Sequence, residues 1–197
     1  YNTLDTIVWL AEGGQNRAVV DMVTSLSEFF RTTLSGGKDF ITMREEIGHI
    51  KSYLQIQKIR YQDIMDYEVT LEKSLEERRI LKLTLQPLVE NALYHGIKNK
   101  RGRGRIWVRG YAKEDMAVLE VEDDGAGMTE EEIDRINASI SEYDENFGYG
   151  VRNVHKRIEL LFGKGYGLYY KMNKEGGVTV EITLPAGKQK TEGEDHV

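Results

Sequence analysis

Cysteine is absent from the 197 residues. That excludes a disulfide framework, a thiolate nucleophile and any cysteine metal site. Also missing is an apolar run of about 18 residues, the length a membrane-spanning helix needs, and no signal peptide is recognisable at the start. Excess positive charge is lacking too: 27 Lys and Arg face 33 Asp and Glu, a formal net charge of −6, which argues against a general nucleic-acid surface. No internal repeat is visible. What is present suits a folded domain, with 40% hydrophobic and 30% charged residues. The length allows one sizeable domain or two small ones.

Residues 2–35 read as helix, interrupted near Glu12-Gly13-Gly14. Val19, Val23, Leu26, Phe30 and Thr33 step by 4, 3, 4 and 3, with Phe29 and Leu34 widening the stripe. Ser35-Gly36-Gly37 ends the segment. Thr42 with Glu45 three residues on is a capping-box start for a helix running to about Tyr61. Its stripe is Ile47, Ile50, Leu54, Gln57 and Tyr61. Two helices with heptad-like seams predict an antiparallel hairpin that buries too little alone and pairs with a second copy. Packing of both stripes on the globular part of the same chain is the other outcome.

The chain divides near residue 63. Residues 66–72 alternate as a strand, and Lys73–Ile80 is a charged connection. Leu85–Gly96, LQPLVENALYHG, reads as a helix with Leu85, Leu88, Val89, Ala92 and Leu93 on its buried face. At about 100° per residue, Asn91, His95 and Lys98 then fall together on the other side. This polar stripe could hold a metal ion and phosphate oxygens, or be an ordinary wet face. Lys98–Arg105 is a basic Gly-rich loop, either a phosphate attractor or a solvated turn. Strands are expected at 105–112, 116–122, 166–172 and 178–184. Helices are expected at 129–140, opened by Thr129 and an acidic first turn, and at 148–162, with Val151, Val154, Ile158 and Leu161 as its apolar stripe. Residues 186–197 are charged, lack a stripe and predict a disordered tail. The fold class is therefore α+β: a helical hairpin over 1–62, then an α/β sandwich over 63–185 whose mixed, mainly antiparallel sheet is covered on one face by helices.

Two further segments bear on chemistry. Asp123-Asp124-Gly125-Ala126-Gly127-Met128 joins a strand to a helix. Its carboxylate can accept from an exocyclic amine or water, and its glycines let backbone approach a flat ligand; a plain strand-to-helix turn has the same composition. Gly148-Tyr149-Gly150-Val151-Arg152-Asn153 opens a helix, where free N–H groups suit an anion. It is not a dinucleotide fingerprint, because no strand leads into it and the third Gly is missing.

In this order and spacing the three segments resemble the ATP-binding domain shared by gyrase, Hsp90, histidine kinases and MutL: Leu85–Gly96 matches the N box, Asp123–Met128 and Gly148–Asn153 the two glycine boxes. More closely, the chain is similar to YesM/LytS-like sensor histidine kinases of bacterial two-component systems. That likeness adds Tyr1-Asn2-Thr3-Leu4, Tyr53-Leu54 with Gln57–Tyr61, and GYGVRNVHKRIELLFG from Gly148, and covers residues 1–185. The resemblance implies ATP and Mg²⁺ as cofactors, Asn91 as the Mg²⁺ ligand, and Asp123 as acceptor of the adenine amino group. It implies Gly125 and Gly127 against the ring, residues 128–148 from Met128 as a mobile lid, and Gly148 and Gly150 around the phosphates. Val151, Arg152 and Asn153 would lie beneath the phosphates, with His95 and Lys98 near them. It further implies a homodimer through the hairpin, a response-regulator receiver domain as partner, no nucleic acid, and a cytoplasmic part of a protein residing in the bacterial cell membrane.

Three departures from the family pattern stand out. Tyr94 replaces a Lys common before His95. Val178, not Thr, follows Gly177. The family's phosphoacceptor His precedes the first helix's Tyr-Asn by three residues and would lie upstream of Tyr1, so the expectation is nucleotide binding without autophosphorylation. A gyrase-type hydrolase carries a Glu four residues before the metal-binding Asn, where this chain has Pro87. A non-catalytic dimerisation and regulator-docking module is the other alternative. His49, His155 and His196 read as surface or packing residues, Trp9 and Trp107 as core. Glu90 points about 100° away from Asn91 on an ideal helix, leaving it a base or an orienting residue.

Overall fold

The computed structural model describes residues 2–34, 39–142 and 149–185. The connection at 35–38, Gly148 with the rest of 143–148, and the expected tail at 186–197 lie outside the described residues.

The expected interruption near Glu12-Gly13-Gly14 is present. α1 (Asn2–Glu12) and α2 (Asn16–Leu34) are separated by a turn in which Gly14 adopts φ +68°. α3 (Met43–Arg60) begins with the expected capping box: Thr42 Oγ1 accepts from the Glu45 N–H at 3.1 Å, and the Thr42 N–H donates to Glu45 Oε2 at 2.7 Å. Phe29 of α2 stacks on His49 of α3, while Met22 meets Ile56. Falling numbers on one helix thus oppose rising numbers on the other, so the pair is antiparallel.

The stripe of α3 does not await a second copy. Ile47, Ile50, Tyr53 and Leu54 are buried in the same core as Leu85, Leu88 and Val89 and the strand residues Ile106, Val108, Leu119 and Val121, while Ile56 closes a smaller cluster with Leu10 and Met22. Part of the reason is a strand that hydropathy could not show. β1 (Phe40–Thr42) precedes α3 and pairs antiparallel with β3 (Arg79–Leu81), inside what reads as a charged connection. Three residues are too few to display a period, but the pairing ties the start of α3 to the globular part. On α2, Val23 and Phe30 remain about half exposed, at 48% and 51%. Trp9, expected in the core, is 60% exposed.

The main sheet runs β2 (Met65–Leu71), β4 (Gly104–Lys113), β5 (Met116–Asp123), β7 (Val178–Pro185), β6 (Gly167–Met172). β2 and β4 are parallel and the other neighbours antiparallel, as the hairpin-rich sequence requires. Period-two alternation puts Ala117, Leu119, Val121 and finally Asp123 on the buried face of β5. Glu120 and Glu122 take the outer face, where both pair with Arg109. Trp107, half-buried on β4, lies under the guanidinium groups of Arg105 and Arg109.

Helices α4 (Gln86–Asn91), α5 (Glu130–Glu142) and α6 (Tyr149–Phe162) contribute to the core over this sheet. Leu85, Leu88, Val89, Ala92 and Leu93 are all buried, as predicted. After Asn91 the backbone widens into one π turn, Ala92–Gly96, then a 3₁₀ turn, Ile97–Asn99. Such turns shift the phase of everything downstream.

One buried carboxylate fastens α3 to the start of α4. Glu46 accepts the Leu85 N–H at 2.8 Å and the Leu83 N–H at 3.0 Å, and Leu83 holds φ +60° in the turn so created. Burial pushes Glu46 up to about 7, against these backbone donors. Because the folded value exceeds the unfolded one, the native state binds the extra proton. This contribution to stability is full below the ordinary glutamate range and is lost as pH rises towards about 7. Glu46→Gln is expected to flatten that segment of the melting temperature against pH curve. Glu46→Ala is expected to cost roughly 2–4 kcal/mol by orphaning buried N–H groups, measurable by urea denaturation.

Candidate nucleotide site

Between α4 and the buried face of the sheet lies a cavity of about 470 Å³. α4 and its π turn supply Pro87, Glu90, Asn91 and His95; the sheet supplies Val121, Asp123, Tyr170, Val178 and Val180. Gly127, Met128 and Ile136 form another wall, and Gly150 and Val151 bring the start of α6 to it. Most of its lining is apolar, with the few polar side chains Glu90, Asn91, His95, Asp123 and Tyr170 among it, the pattern of a small-molecule site.

Asp123 is the polar group of the deep end. It is 4% exposed, and its Oδ1 accepts the Gly125 N–H at 2.8 Å. Burial pushes it up to about 6, opposed by the backbone N–H groups of Gly125 and Val178 and reinforced by Asp124 and Glu122. Its own carbonyl accepts from Asn173 Nδ2 at 2.6 Å. Asn173 in turn accepts the Gly177 N–H at 2.9 Å, so the β6–β7 turn buttresses the carboxylate. Val178, which stands where the family pattern has Thr, contributes its backbone N–H to Asp123, and its side chain lines the cavity. Thr179, one residue on, belongs to the other face by alternation.

Glycine shapes this end by omission. A Cβ on Gly96 would lie 2.5 Å from Asp123 Oδ1; one on Gly125 would strike the Gly96 backbone, and one on Gly177 the Asp123 carbonyl. Gly127, at φ +73°, approaches the Gly176 carbonyl too closely for any side chain. These contacts pack backbone closely around the carboxylate; Gly96 and Gly127 line the cavity, whereas Gly125 and Gly177 do not. Gly96, Asn173, Tyr170 and Gly177 were not singled out from sequence as site residues. Gly96 closes the LQPLVENALYHG segment, but its partner Asp123 is far along the chain, so no local pattern announces the contact.

Asn91 and His95 line the same cavity. Lys98 does not join them. The π turn and a pair of aromatic rings redirect it: its Nζ donates to the Tyr61 hydroxyl at 3.2 Å and sits 4.7 Å from the ring centroids of both Tyr61 and Tyr94. Tyr94, the departure from the family pattern, thus holds the lysine away. Arg152 and Asn153 begin α6 without lining the cavity; Asn153 is exposed. Gly148 lies outside the described residues, whereas Gly150 packs against Pro87. Much of the stretch read as a mobile lid is α5, capped by Thr129 with Glu132 and buried through Ile133, Ile136 and Ile140. Asn137 pins it to β6, pairing with both the N–H and the carbonyl of Tyr170 at 2.9 Å. Glu90, expected to point away from Asn91, shares the cavity with it, because the open side of α4 is wide enough to present both.

The donor set can be tested against a metal. Among the described residues no group of three or more His, Asp or Glu side chains could hold an ion by protein ligands alone. The Asn91 carbonyl and Glu90 carboxylate are hard oxygen donors. This suits Mg²⁺, which takes one or two protein ligands and completes its shell with waters and phosphate oxygens. No helix among the described residues is long and apolar enough to cross a membrane.

Comparison with known proteins agrees with this geometry. The family described as histidine kinase matches residues 1–65, and the family described as histidine kinase-, DNA gyrase B-, and HSP90-like ATPase matches residues 76–188. Sensor histidine kinase YesM of Bacillus subtilis (strain 168) is 32% identical over 94% of this chain. Sensor histidine kinase BtsS of Escherichia coli (strain K12) is 31% identical over the same share. The chain spans 31% of the length of each of these relatives. Among solved structures, the catalytic domain of histidine kinase ThkA superposes with a TM-score of 0.56 at 18% identity, covering 76% of this chain and 97% of that one. The histidine kinase domain of a blue-light activated kinase from Erythrobacter litoralis gives 0.56 at 20% identity, covering 86% and 75%. At such identity these structures speak for the fold alone. On the sequence matches, the chain belongs to the histidine kinase-, DNA gyrase B- and HSP90-like ATPase family, within its sensor histidine kinases.

Proposed function

We propose that this chain is the kinase core of a sensor histidine kinase, binding ATP·Mg²⁺ and presenting the γ-phosphoryl group to a histidine imidazole. The observation that carries the reading is Asp123, a buried carboxylate lining a largely apolar cavity that Gly96, Gly127 and Gly150 also line with backbone alone. In this reading Asp123 accepts the adenine amino group, Gly96 and Gly127 let the ring lie on backbone, and Gly125, expected against the ring, holds the carboxylate with its N–H. Asn91 holds Mg²⁺, which when bound neutralises phosphate charge and orients the γ-phosphorus. Gly150 and Val151, at the start of the 14-residue α6, offer the phosphates backbone N–H groups and the positive end of a helix dipole. An imidazole nitrogen then forms the N–P bond as the bond from phosphorus to the β-phosphate oxygen breaks and ADP leaves.

The same reading divides the chain into a dimerisation and phosphotransfer part over 1–62 and an ATP-binding part over 63–185. Homodimerisation through the helices is supported by the exposed apolar side chains Leu4, Val8, Val20, Val23, Phe30 and Leu34 on α1 and α2. A response-regulator receiver domain as partner follows from the kinship with sensor histidine kinases; of the fold relatives, ThkA has been solved in complex with the response regulator TrrA. The protein would act on the cytoplasmic side of a bacterial membrane.

Pro87, one turn before Asn91 on the cavity wall, has no ionisable group to activate water. ATP and ADP with Mg²⁺ are therefore expected to raise the melting temperature in a thermal-shift titration, while steady-state phosphate release stays near background. Rapid phosphate turnover would favour a hydrolase. No shift with any adenine nucleotide would favour a non-catalytic docking module.

A further inference from the structure

A line of side chains runs from the hairpin to the cavity. His49 of α3 is fully buried, its ring stacked on Phe29 with centroids 4.4 Å apart. His49 Nε2 lies 2.8 Å from Gln86 Oε1. Gln86 opens α4, and its Nε2 donates to Glu90 Oε1, one turn on, at 2.8 Å. Glu90 stands on the cavity wall beside Asn91.

Chemistry sets the direction of this line. A carboxylate only accepts, so Gln86 must turn its NH₂ group to Glu90; the flipped amide would set two acceptors against each other. The amide oxygen therefore faces His49, and His49 must donate from Nε2. Its proton is therefore on Nε2, and Nδ1 is buried beside the Phe29 backbone without a hydrogen bond of acceptable geometry among the described residues. Burial lowers the tendency of the ring to protonate, in keeping with a neutral imidazole. An apolar ring would fill the space beside Phe29 with no orphaned nitrogen. What histidine adds at this position is the bond to Gln86.

We propose that Glu90 is an outer ligand of the nucleotide's cation, accepting from cation-bound water beside Asn91, and that Gln86 and His49 are the positioning residues that hold it there. The proposal rests on the Mg·nucleotide reading of the cavity. Gln86 occupies one carboxylate oxygen and leaves the other for a water, and Mg²⁺ retains several waters in such sites. Groups that orient a ligand in this way change metal affinity about 10–100-fold when removed. Because His49 belongs to α3, the cation site is then wired to the hairpin through three side chains.

The test is isothermal titration of the chain with a non-hydrolysable ATP analogue, in EDTA and in saturating Mg²⁺, for wild type, Glu90→Gln, Gln86→Leu and His49→Phe. Glu90→Gln and Gln86→Leu are expected to shrink the Mg²⁺-dependent gain in affinity, the ratio of Kd in EDTA to Kd in Mg²⁺, about tenfold. His49→Phe, which keeps the ring on Phe29, is expected to act in the same direction. Long-range ¹H–¹⁵N spectra of wild type should show His49 protonated at Nε2, with its resonances shifted in Gln86→Leu, a readout independent of nucleotide. A Mg²⁺ gain that survives Glu90→Gln, or a His49 protonated at Nδ1, would overturn the proposal. Loss of the gain in Glu90→Gln but not in Gln86→Leu would overturn the positioning role. If wild type binds the analogue in neither buffer, the cavity reading itself fails and takes this proposal with it.

Discussion

Asp123→Asn is expected to remove adenine-nucleotide binding from this chain while leaving it folded. The carboxylate does two tasks at once: it accepts two backbone N–H groups, from Gly125 and Val178, and turns its remaining capacity to the cavity. An amide has one acceptor oxygen. If that oxygen stays with the backbone, the NH₂ group faces the adenine amine, donor against donor; if it turns to the ligand, buried N–H groups are orphaned. A hydrogen bond to a charged group contributes about 1.5–3 kcal/mol, and an unpaired buried donor costs about 1–3 kcal/mol more. Together these correspond to a fall in affinity of about 100-fold or greater. Calorimetry with ATP·Mg²⁺ checks it, with circular dichroism to confirm the fold. An Asp123→Asn variant that binds as tightly as wild type would sink the assignment of the deep end to the base.

Gly96→Ala should be nearly as severe, although it adds a single methyl group to a residue that makes no polar contact with a ligand. The added Cβ would lie 2.5 Å from Asp123 Oδ1 and 2.8 Å from its Cγ. A flexible side chain would step aside, but Asp123 is short, buried and held by backbone on both sides. The carboxylate must leave its position or Gly96 must retreat from the sheet, and either change spoils the seat of the base. The expected result is a loss of nucleotide affinity of about 100-fold, comparable to losing the carboxylate bond itself. Gly48→Ala is the control: its Cβ meets open space in the middle of α3, and it should stabilise by about 0.5–1 kcal/mol through helix propensity. A Gly96→Ala variant with wild-type affinity would show that the deep end tolerates rearrangement.

Most elements were legible because each carries its own signal. The capping box at Thr42 and Glu45 is a contact between neighbours in sequence, and it forms as read. The β4–β5 and β6–β7 hairpins, and the five apolar residues of Leu85–Gly96, show their periods directly. Asn91 and Asp123 were legible as a pair only because three short segments recur together in a known family. Less visible was anything decided by a partner far along the chain. β1 and β3 are three residues each and have no period to read. Lys98 was placed by an ideal helical angle that the π turn does not obey, and Tyr61 and Tyr94 then captured it.

The sequence by itself determined which residues form helices and strands, which face of each is apolar, and where the chemistry-bearing segments stand. Those properties follow from neighbours within a few residues, through backbone geometry and periodicity. Only the tertiary structure decided what covers each face. It put the α3 stripe on the sheet core instead of leaving it free, set Glu46 over the start of α4, and brought Gly96 against Asp123. It also joined His49 to Glu90 through Gln86. An apolar or polar stripe states that it needs a partner without naming one. The partner is chosen by steric fit and hydrogen-bond complementarity between segments distant in sequence, and neither is written in any single stretch of the chain.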